Sequence, residues 1–280
     1  MIPATAYHLA LALETAAERT PKLKVLDLFS GIGGFSLGLE RTGGFETVAF
    51  CEIEDYPRRV LKKHWPKVPI YDDVRTLTAD ALSRDGIAVD VICGGFPCQD
   101  ISRAGTGAGL AGERSGLWSE FARLIGEIRP SYAILENVAA LLDDGMGTVL
   151  GNLADLGYDA EWQVISACAV GAPHMRQRVF VVAYHNGEHG RPRVRHSAAR
   201  KNRPLQEVYD LASARARENA RMANPSALYR DADGVAFGME RNRAIGNGIY
   251  PAVPELIGRA ILASLHAQQA DDRTVTPTSA

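Results

Sequence analysis

A cysteine and a glutamate each stand just after a buried apolar run. Cys98 lies in the turn 94–99 (Gly-Gly-Phe-Pro-Cys-Gln), which follows the mostly apolar run 89–93, and Glu136 follows the apolar residues 133–135. A thiol at one strand end and a carboxylate at another are the minimum needed to attack an electron-poor ring and to protonate it. The spacing therefore predicts an enzyme that forms a covalent bond to a pyrimidine.

Each of these residues also has an ordinary structural interpretation. A lone cysteine is more often a small buried hydrophobe, which is what we expect of Cys93, whereas Pro97 fixes the backbone before Cys98 and projects its sulfur. A carboxylate at the end of an apolar run, as at Glu136, is costly without a partner or a task, and it could hold the ring nitrogen of a cytosine. Arg176 and Arg178 precede another apolar run. They are either a surface pair or a clamp for a carbonyl or phosphate group.

The glycine-rich turn at 27–34 (Asp-Leu-Phe-Ser-Gly-Ile-Gly-Gly) joins the first predicted strand to a helix. By itself this motif is weak, because a tight connection also needs glycine. Glu52 at the end of the second strand adds a carboxylate where such folds hold ribose hydroxyls, and Asp73 could accept from an adenine amino group or be a surface turn residue. Residues 31–36 lack the last glycine of a dinucleotide fingerprint and carry no phosphate-binding lysine. These features favour S-adenosylmethionine over NAD or ATP.

The elements that must position these residues alternate between strand and helix. This alternation predicts an α/β fold with a doubly wound, mostly parallel sheet, whose ligands bind at the carboxyl ends of the strands. The predicted strands are 24–29, 47–51, a short strand that ends before Asp73, 89–93, 132–135, 161–167 and 178–183. The predicted helices are 6–18, 35–41, 57–64, 76–83, 117–128, 148–156 and 251–268.

The organisation of the chain changes after residue 183. We expect a catalytic and cofactor-binding domain at 1–183, a small target-recognition region at 184–243, a segment at 244–269 that returns to the first domain, and a flexible tail at 270–280. Residues 184–230 hold ten Lys or Arg against four acids, although the formal net charge of all 280 residues is -2. This Arg-rich module is the predicted polyanion contact.

Composition excludes several other classes of protein. Four separated cysteines without a C-x-x-C pair predict neither a disulfide framework nor a zinc site, and His185, His189 and His196 have no partners at ligand spacing. We therefore predict no metal. Since no apolar stretch is long enough to span a membrane and no leader pattern is visible, we expect a cytoplasmic protein without membrane contact.

Together these motifs resemble the cytosine-C5 DNA methyltransferase family, S-adenosylmethionine-dependent and of bacterial or phage type. The resemblance runs in the family's order from about Lys24 to Ala183 and resumes from Arg243 to Ile261. Five short motifs carry it: 27–34, Pro97-Cys98-Gln99, Glu136-Asn137-Val138, Arg176-Gln177-Arg178 and Gly246-Asn247-Gly248. Each is short, but five in order are highly specific.

The resemblance implies a Rossmann-like class I methyltransferase fold and a role for each matching residue. Cys98 would be the nucleophile, Glu136 the acid that engages N3 of cytosine, and Arg178, beside Arg176, the contact to O2. The S-adenosylmethionine pocket would be lined by Phe29, Ser30, Gly31, Gly33, Gly34, Glu52, Ile53, Asp73, Phe96, Leu117 and Asn247. Ser102, Arg103 and Arg114 would contact DNA from the glycine-rich segment 99–116, which looks like a loop that closes over the substrate strand.

The implied activity is methyl transfer from S-adenosylmethionine to C5 of a cytosine flipped out of a specific sequence in double-stranded DNA. The implied setting is DNA methylation, for example in restriction-modification, and we expect a monomer. Two features depart from the family: His174 stands where glutamine is frequent, and the region 184–243 is short. The alternatives are a transfer-RNA cytosine-C5 methyltransferase and a catalytically idle DNA-binding protein. Ala139-Ala140-Leu141 replaces the Cys-Phe-Thr run expected in the first, and intact Cys98 and Glu136 argue against the second.

Overall fold

The computed structural model of the chain describes residues 21–97, 116–143, 145–172, 176–185 and 248–275. Several predictions fall outside these ranges. They concern the helix at 6–18, most of the region 184–243, and the site residues Cys98, Ser102, Arg103, Arg114 and Asn247.

Strands and helices alternate along the described chain as the pattern predicted. The strands are β1 (Leu23–Leu28), β2 (Phe45–Cys51), β3 (Ile70–Tyr71), β4 (Val91–Gly95), β5 (Tyr132–Val138), β6 (Tyr158–Ser166) and β7 (Gln177–His185). The helices are α1 (Gly34–Glu40), α2 (Asp55–His64), α3 (Ala79–Arg84), α4 (Gly116–Ile128), α5 (Met146–Asp155) and α6 (Ala252–Val275), with short 3₁₀ turns at Ala139–Leu142 and Ala167–Val170.

The strands form one sheet in the order β3-β2-β1-β4-β5-β7-β6. Neighbours from β3 to β5 are parallel, and β7 runs antiparallel to both β5 and β6. The predicted doubly wound, mostly parallel sheet is confirmed. Because the chain leaves β1 towards β2 and later returns to place β4 on the other side, a crevice opens where β1 and β4 end. The glycine turn after β1 and residues 96–97 after β4 meet there.

Both faces of the sheet are covered, as a doubly wound fold requires. On one face, Phe121 and Leu124 of α4 and Leu153 of α5 join the core. On the other face, α1 and α6 pack together through side chains such as Leu39 and Ile257. Burying each face behind helices leaves the strand ends as the accessible part of the sheet.

The C-terminal segment lies so close to α1 that two positions on α1 must be glycine. A Cβ atom on Gly34 would stand 2.4 Å from the carbonyl oxygen of Ile249, and one on Gly38 would stand 2.2 Å from that of Pro251. Both distances are far below van der Waals contact, and the obstructing atoms are backbone. Glycine at these positions therefore lets the chain from 248 onwards pack directly on the first helix.

Several element boundaries differ from the sequence pattern, among them one end each of β5, α3 and α6. β5 continues past the apolar run to Val138, because Glu136 pairs with Phe180 and Val138 with Arg178 on β7. α3 begins at Ala79 rather than 76, since the Thr78 hydroxyl accepts from the Ala81 amide at 3.1 Å and caps the helix. α6 reaches Val275 instead of 268, so the helix continues into the polar residues that follow the apolar pattern.

Among the described residues, no helix combines the length and the apolar character that crossing a membrane would require.

Candidate active site

A cleft of about 370 Å³ opens at the carboxyl ends of β1 and β2. Its lining includes five residues that the sequence assigned to the cofactor pocket, namely Phe29, Glu52, Ile53, Asp73 and Leu117. The remaining lining residues are Cys51, Glu54, Asp72, Val74, Arg75, Pro97 and Glu120. The sequence analysis did not assign these seven residues to the pocket; all but Pro97 lie outside the quoted motifs, and several are neighbours in sequence of Glu52 or Asp73. A cleft of this size falls within the range of small-molecule sites.

The glycine turn is tied to the end of β2 by hydrogen bonds. Glu52 accepts from the Gly31 amide at 2.7 Å through Oε2 and from the Glu54 amide at 2.8 Å through Oε1. Gly31 has φ +53°, in the left-handed region that favours glycine. The Glu52 carboxylate is thereby fixed at the rim of the cleft with one side towards the turn.

Ser30 and Phe29 connect the turn to neighbouring parts of the fold. The Ser30 hydroxyl donates to the Asp27 carbonyl at 2.6 Å and accepts from the Cys51 amide at 3.2 Å, which joins the ends of β1 and β2. Phe29, a non-glycine residue with φ +51°, stacks on Phe121 with ring centroids 6.2 Å apart. Ser30 therefore has a structural role, and Phe29 offers one ring surface to the cleft while the other packs on α4.

Ile53 is an exposed aliphatic side chain on the cleft wall. It is 62% exposed, which is unusual for isoleucine beside a well-packed core. Asp73 on the same cleft receives Arg75 Nη2 at 2.7 Å and Nε at 3.0–3.1 Å. This pairing lowers the pKa of Asp73 below its ordinary value and keeps the carboxylate charged.

Three of the predicted cofactor residues pack tightly instead of lining the cleft. A Cβ on Gly33 would lie 2.7 Å from the Trp65 ring, and Gly34 faces the Ile249 backbone as described above. Phe96 is buried against Trp118, with ring centroids 5.2 Å apart. The structure thus places Gly33, Gly34 and Phe96 in packed positions that do not line the cleft.

Glu136 lies in a tight recess on the neighbouring part of the same sheet edge. Arg176, Arg178 and Ile249 line the recess with it, and Ile165, Ala167, Phe180, Tyr250 and Val253 complete the lining. Arg178 Nε stands 2.9 Å from Glu136 Oε1, an ion-pair distance. No described residue gives this buried oxygen a hydrogen bond of acceptable angle. The Glu136 carboxyl group is therefore held by Arg178 inside the recess, beside the Arg176 guanidinium.

Burial in the recess shifts the pKa of Glu136 upwards. Burial raises the pKa of Glu136 above its ordinary value of 4.5, and the Arg178 and Arg176 guanidinium groups partly oppose the rise. A carboxyl group with a raised pKa can hold a proton closer to neutral pH than a free one. The recess can accordingly present either a proton or a negative charge to a base ring.

Asn137 and Gly95 connect this recess to the turn that carries Cys98. Asn137 Nδ2 donates to the Phe96 carbonyl at 3.0 Å, two residues before Cys98. A Cβ on Gly95 would stand 2.6 Å from Glu136 Oε2. Asn137 therefore fixes the backbone that leads into the turn, and Gly95 leaves space for the carboxylate. The sequence motif contained Asn137 without revealing this role.

Cys93 does not line the cleft or the recess. Cys93 is fully buried in β4, as predicted, and burial raises its thiol pKa well above the ordinary value. No group of three or more His, Cys, Asp or Glu residues in the described ranges could hold a metal ion. The chemistry on offer in these ranges is that of a carboxyl group, two guanidinium groups and an adjoining cleft.

Comparison with known proteins follows this geometry. The family model of the C-5 cytosine-specific DNA methylases matches residues 23–232. The Type II methyltransferase M2.BsuMI of Bacillus subtilis (strain 168) is 37% identical over 169 residues, which are 58% of this chain and 42% of that protein. M.Eco47II of Escherichia coli is 37% identical over 168 residues, with coverage of 58% and 39%. The chain thus aligns with about four tenths of the length of these relatives.

Solved structures show the same fold. A prophage protein from E. coli, described as a DNA modification methyltransferase, superposes with a TM-score of 0.60 at 18% identity, covering 88% of this chain and all of that one. The Dnmt2 methyltransferase of S. pombe gives a TM-score of 0.52 at 15% identity, covering 89% and 99%. Both have a class I methyltransferase fold. The chain belongs to the C-5 cytosine-specific DNA methylase family.

Proposed function

We propose that the protein is a DNA (cytosine-5-)-methyltransferase that works through a covalent Cys98 adduct. The observation that carries this proposal is the recess of Glu136, where a buried carboxyl group paired with Arg178 adjoins the turn that leads to Cys98. The Type II relatives support a role in restriction-modification.

S-adenosylmethionine fits the cleft beside this recess. The exposed face of Ile53 suits a flat adenine ring, the fixed Glu52 carboxylate suits ribose hydroxyls, and Phe29 adds an aromatic surface. Nothing in the lining resembles a phosphate site of the P-loop kind. When bound, this cofactor supplies an electrophilic methyl group on a sulfonium sulfur.

Cys98 and Glu136 would make C5 of cytosine reactive. The Cys98 thiolate would add to C6, the electrons of the C5–C6 double bond would shift towards N3, and N3 would take a proton from Glu136. C5 would then be nucleophilic and would take the methyl group as the bond between that methyl and the sulfonium sulfur breaks, which leaves a neutral thioether. The C5 proton would pass to water, the C5–C6 double bond would form again with expulsion of the Cys98 thiolate, and the N3 proton would return to Glu136, so that the enzyme is regenerated.

Arg178 and Arg176 would hold the base in place. Both guanidinium groups border the recess of Glu136, and Arg178 is also anchored by its Nη1 bond to the Gln177 carbonyl at 2.8 Å. We propose that Arg178 contacts O2 of the cytosine and that Arg176 lies beside it at the rim of the recess. Since the recess is narrow, the base must leave the duplex to enter it, which costs a few kcal/mol of stacking.

Duplex DNA is the proposed partner. Ser102, Arg103 and Arg114 would contact the substrate strand, and the Arg-rich region 184–243 would supply backbone contacts and base readout. Asn247 would complete the cofactor pocket. We propose a monomer, because one-base chemistry needs no two-fold symmetry; a stable dimer in sedimentation at micromolar concentration would contradict this.

The test is methyl transfer from labelled S-adenosylmethionine to unmodified duplex DNA and, separately, to transfer RNA. We expect label on DNA from the wild-type protein and none from Cys98→Ser. Label on transfer RNA alone would favour the RNA enzyme. Cofactor binding without transfer to either nucleic acid would favour the idle DNA-binding protein.

A further inference from the structure

A second groove lies on the outer side of α2, apart from the recess and the cofactor cleft. It measures about 470 Å³, and its residues come from α2 and from the turn that leads into β3. They are Asp55, Arg58, Arg59, Lys62, Pro66, Val68, Pro69 and Ile70. We refer to it as the α2 groove. None of these residues belongs to the sequence motifs or to the proposed mechanism.

The exposed face of α2 is a cationic stripe. At 100° per residue, Arg58, Arg59, Lys62 and Lys63 fall on one side of the helix, opposite the buried Pro57 and Leu61. Residues 55–70 carry five Lys or Arg against one acid, a net charge of +4 in a chain whose net charge is -2. The stripe is therefore a local positive surface on an otherwise acidic protein.

Internal stabilisation does not account for this charge. Cations in the last turn of a helix, such as Lys62 and Lys63, complement the helix dipole, but Arg58 and Arg59 lie nearer the start, where anions are favoured. In the described parts of the chain, no carboxylate forms an ion pair with Arg58, Lys62 or Lys63. Their charges remain available to an external anion.

The spacing of the cations suits a sugar-phosphate backbone. Residues four apart on the stripe, such as Arg58 and Lys62, rise about 6 Å along the helix. This is comparable with the separation of neighbouring phosphates on one strand. The groove begins at Asp55, directly after the cofactor-cleft residues Ile53 and Glu54, and therefore adjoins the catalytic edge of the sheet.

We propose that the α2 groove binds the phosphate backbone of the DNA flank outside the target site. The proposal rests on the proposed function, because it takes the substrate to be duplex DNA. The groove borders β3, four strand positions from β5, which places it about 19 Å to the side of Glu136. A duplex of one helical turn centred on the target base, about 17 Å to either side, falls short of it, whereas a longer duplex reaches it.

The test compares two triple variants on two duplex lengths. R58Q/K62Q/K63Q removes three of the four cations of the stripe, and K22Q/R41Q/R84Q removes three exposed cations elsewhere, so that both change the net charge equally. Dissociation constants are measured for duplexes of about one and about three helical turns across a salt series. Methyl transfer to the one-turn duplex is measured in parallel and reports on the proposed function alone.

We expect the stripe variant to bind the three-turn duplex about tenfold more weakly, with the log–log salt slope reduced by about 2, and to bind the one-turn duplex normally. Three results would overturn the groove assignment. They are an equal loss of affinity in both triple variants, an equal loss of affinity for both duplex lengths, and a loss of affinity that appears only when an RNA competitor is added. Absence of methyl transfer by wild-type protein on the one-turn duplex would instead count against the proposed function.

Discussion

Arg178 Nε lies 2.9 Å from Glu136 Oε1, across neighbouring antiparallel strands whose register pairs Glu136 with Phe180 and Val138 with Arg178. The two side chains meet because β7 runs against β5, so that the start of β7 lies beside the end of β5. Because β7 is reversed, the Arg178 guanidinium at its start lies at the sheet edge where the parallel strands end. The site is thus built from one parallel strand and one antiparallel neighbour.

Glu136→Gln should abolish most of the activity and leave the cofactor bound. The amide keeps the shape of the side chain but cannot donate the proton at N3, and loss of a general acid costs about 10²–10⁴-fold in rate. Steady-state methyl transfer and cofactor titration would check both parts. A kcat within a few-fold of wild type would show that Glu136 does not carry the proton.

Gly95→Ala should impair catalysis with little effect on stability. The added Cβ would stand 2.6 Å from Glu136 Oε2, and since that atom ends a flexible side chain, the carboxylate moves rather than the backbone. A displacement of about 1 Å can cost about 10²-fold in rate. The matched control is Gly151→Ala on α5, which meets nothing within 4 Å; it should leave kcat unchanged and raise stability by up to about 1 kcal/mol. Equal activity in the two variants would contradict the assignment.

Ile53→Ser should weaken S-adenosylmethionine binding by about tenfold, because part of an apolar contact with the adenine ring is lost. Isothermal titration would measure the dissociation constant directly. Leu37→Ser is the matched control, since Leu37 is also an exposed aliphatic residue, 38% exposed on α1, and does not line the cleft. If both variants bind the cofactor like wild type, the cleft is not the adenine site.

Asp27→Asn should remove a pH dependence from the stability of the protein. Burial raises the pKa of Asp27 from 3.8 to about 7, against the opposing hydrogen bonds from Ser36. Because the folded protein holds this proton more tightly than the unfolded chain, the stabilisation is complete below pH 3.8 and is lost as the pH rises towards 7. Asparagine is uncharged at all of these pH values, so the variant does not lose this stabilisation as the pH rises.

Urea unfolding at several pH values would measure the effect. Relative to wild type, Asp27→Asn should gain about 2–3 kcal/mol in the free energy of unfolding between about pH 5 and pH 8. Asp155→Asn changes an exposed aspartate, and its free energy of unfolding should depend on pH as that of the wild-type protein does. A constant difference between Asp27→Asn and wild type across this range would contradict a raised Asp27 pKa.

The parts of the site that lie at the carboxyl ends of strands could be predicted from the sequence. The turn at Gly31 and the carboxylate of Glu52 could be placed together, because parallel strands bring their carboxyl ends to one edge. Glu136 could be recognised as a site residue because it interrupts an apolar run. The α/β fold class could be predicted from the alternation of strand-like and helix-like segments alone.

Other parts depend on packing between distant segments, which no local pattern encodes. The antiparallel direction of β7, and with it the Glu136–Arg178 contact, is set by long-range pairing. Gly34 is required by the Ile249 backbone more than two hundred residues away in sequence. The charge on α2 was visible in the sequence, but the groove beside it appears only once β3 is placed.

The most direct test of the account is single-base mapping of 5-methylcytosine in duplex DNA treated with the wild-type protein and S-adenosylmethionine, with Cys98→Ser alongside. We predict methylation at C5 of cytosine within one short sequence, present with wild type and absent with Cys98→Ser. Methylation that persists in Cys98→Ser, or that falls on another atom or base, would contradict a cysteine-dependent cytosine-C5 methyltransferase.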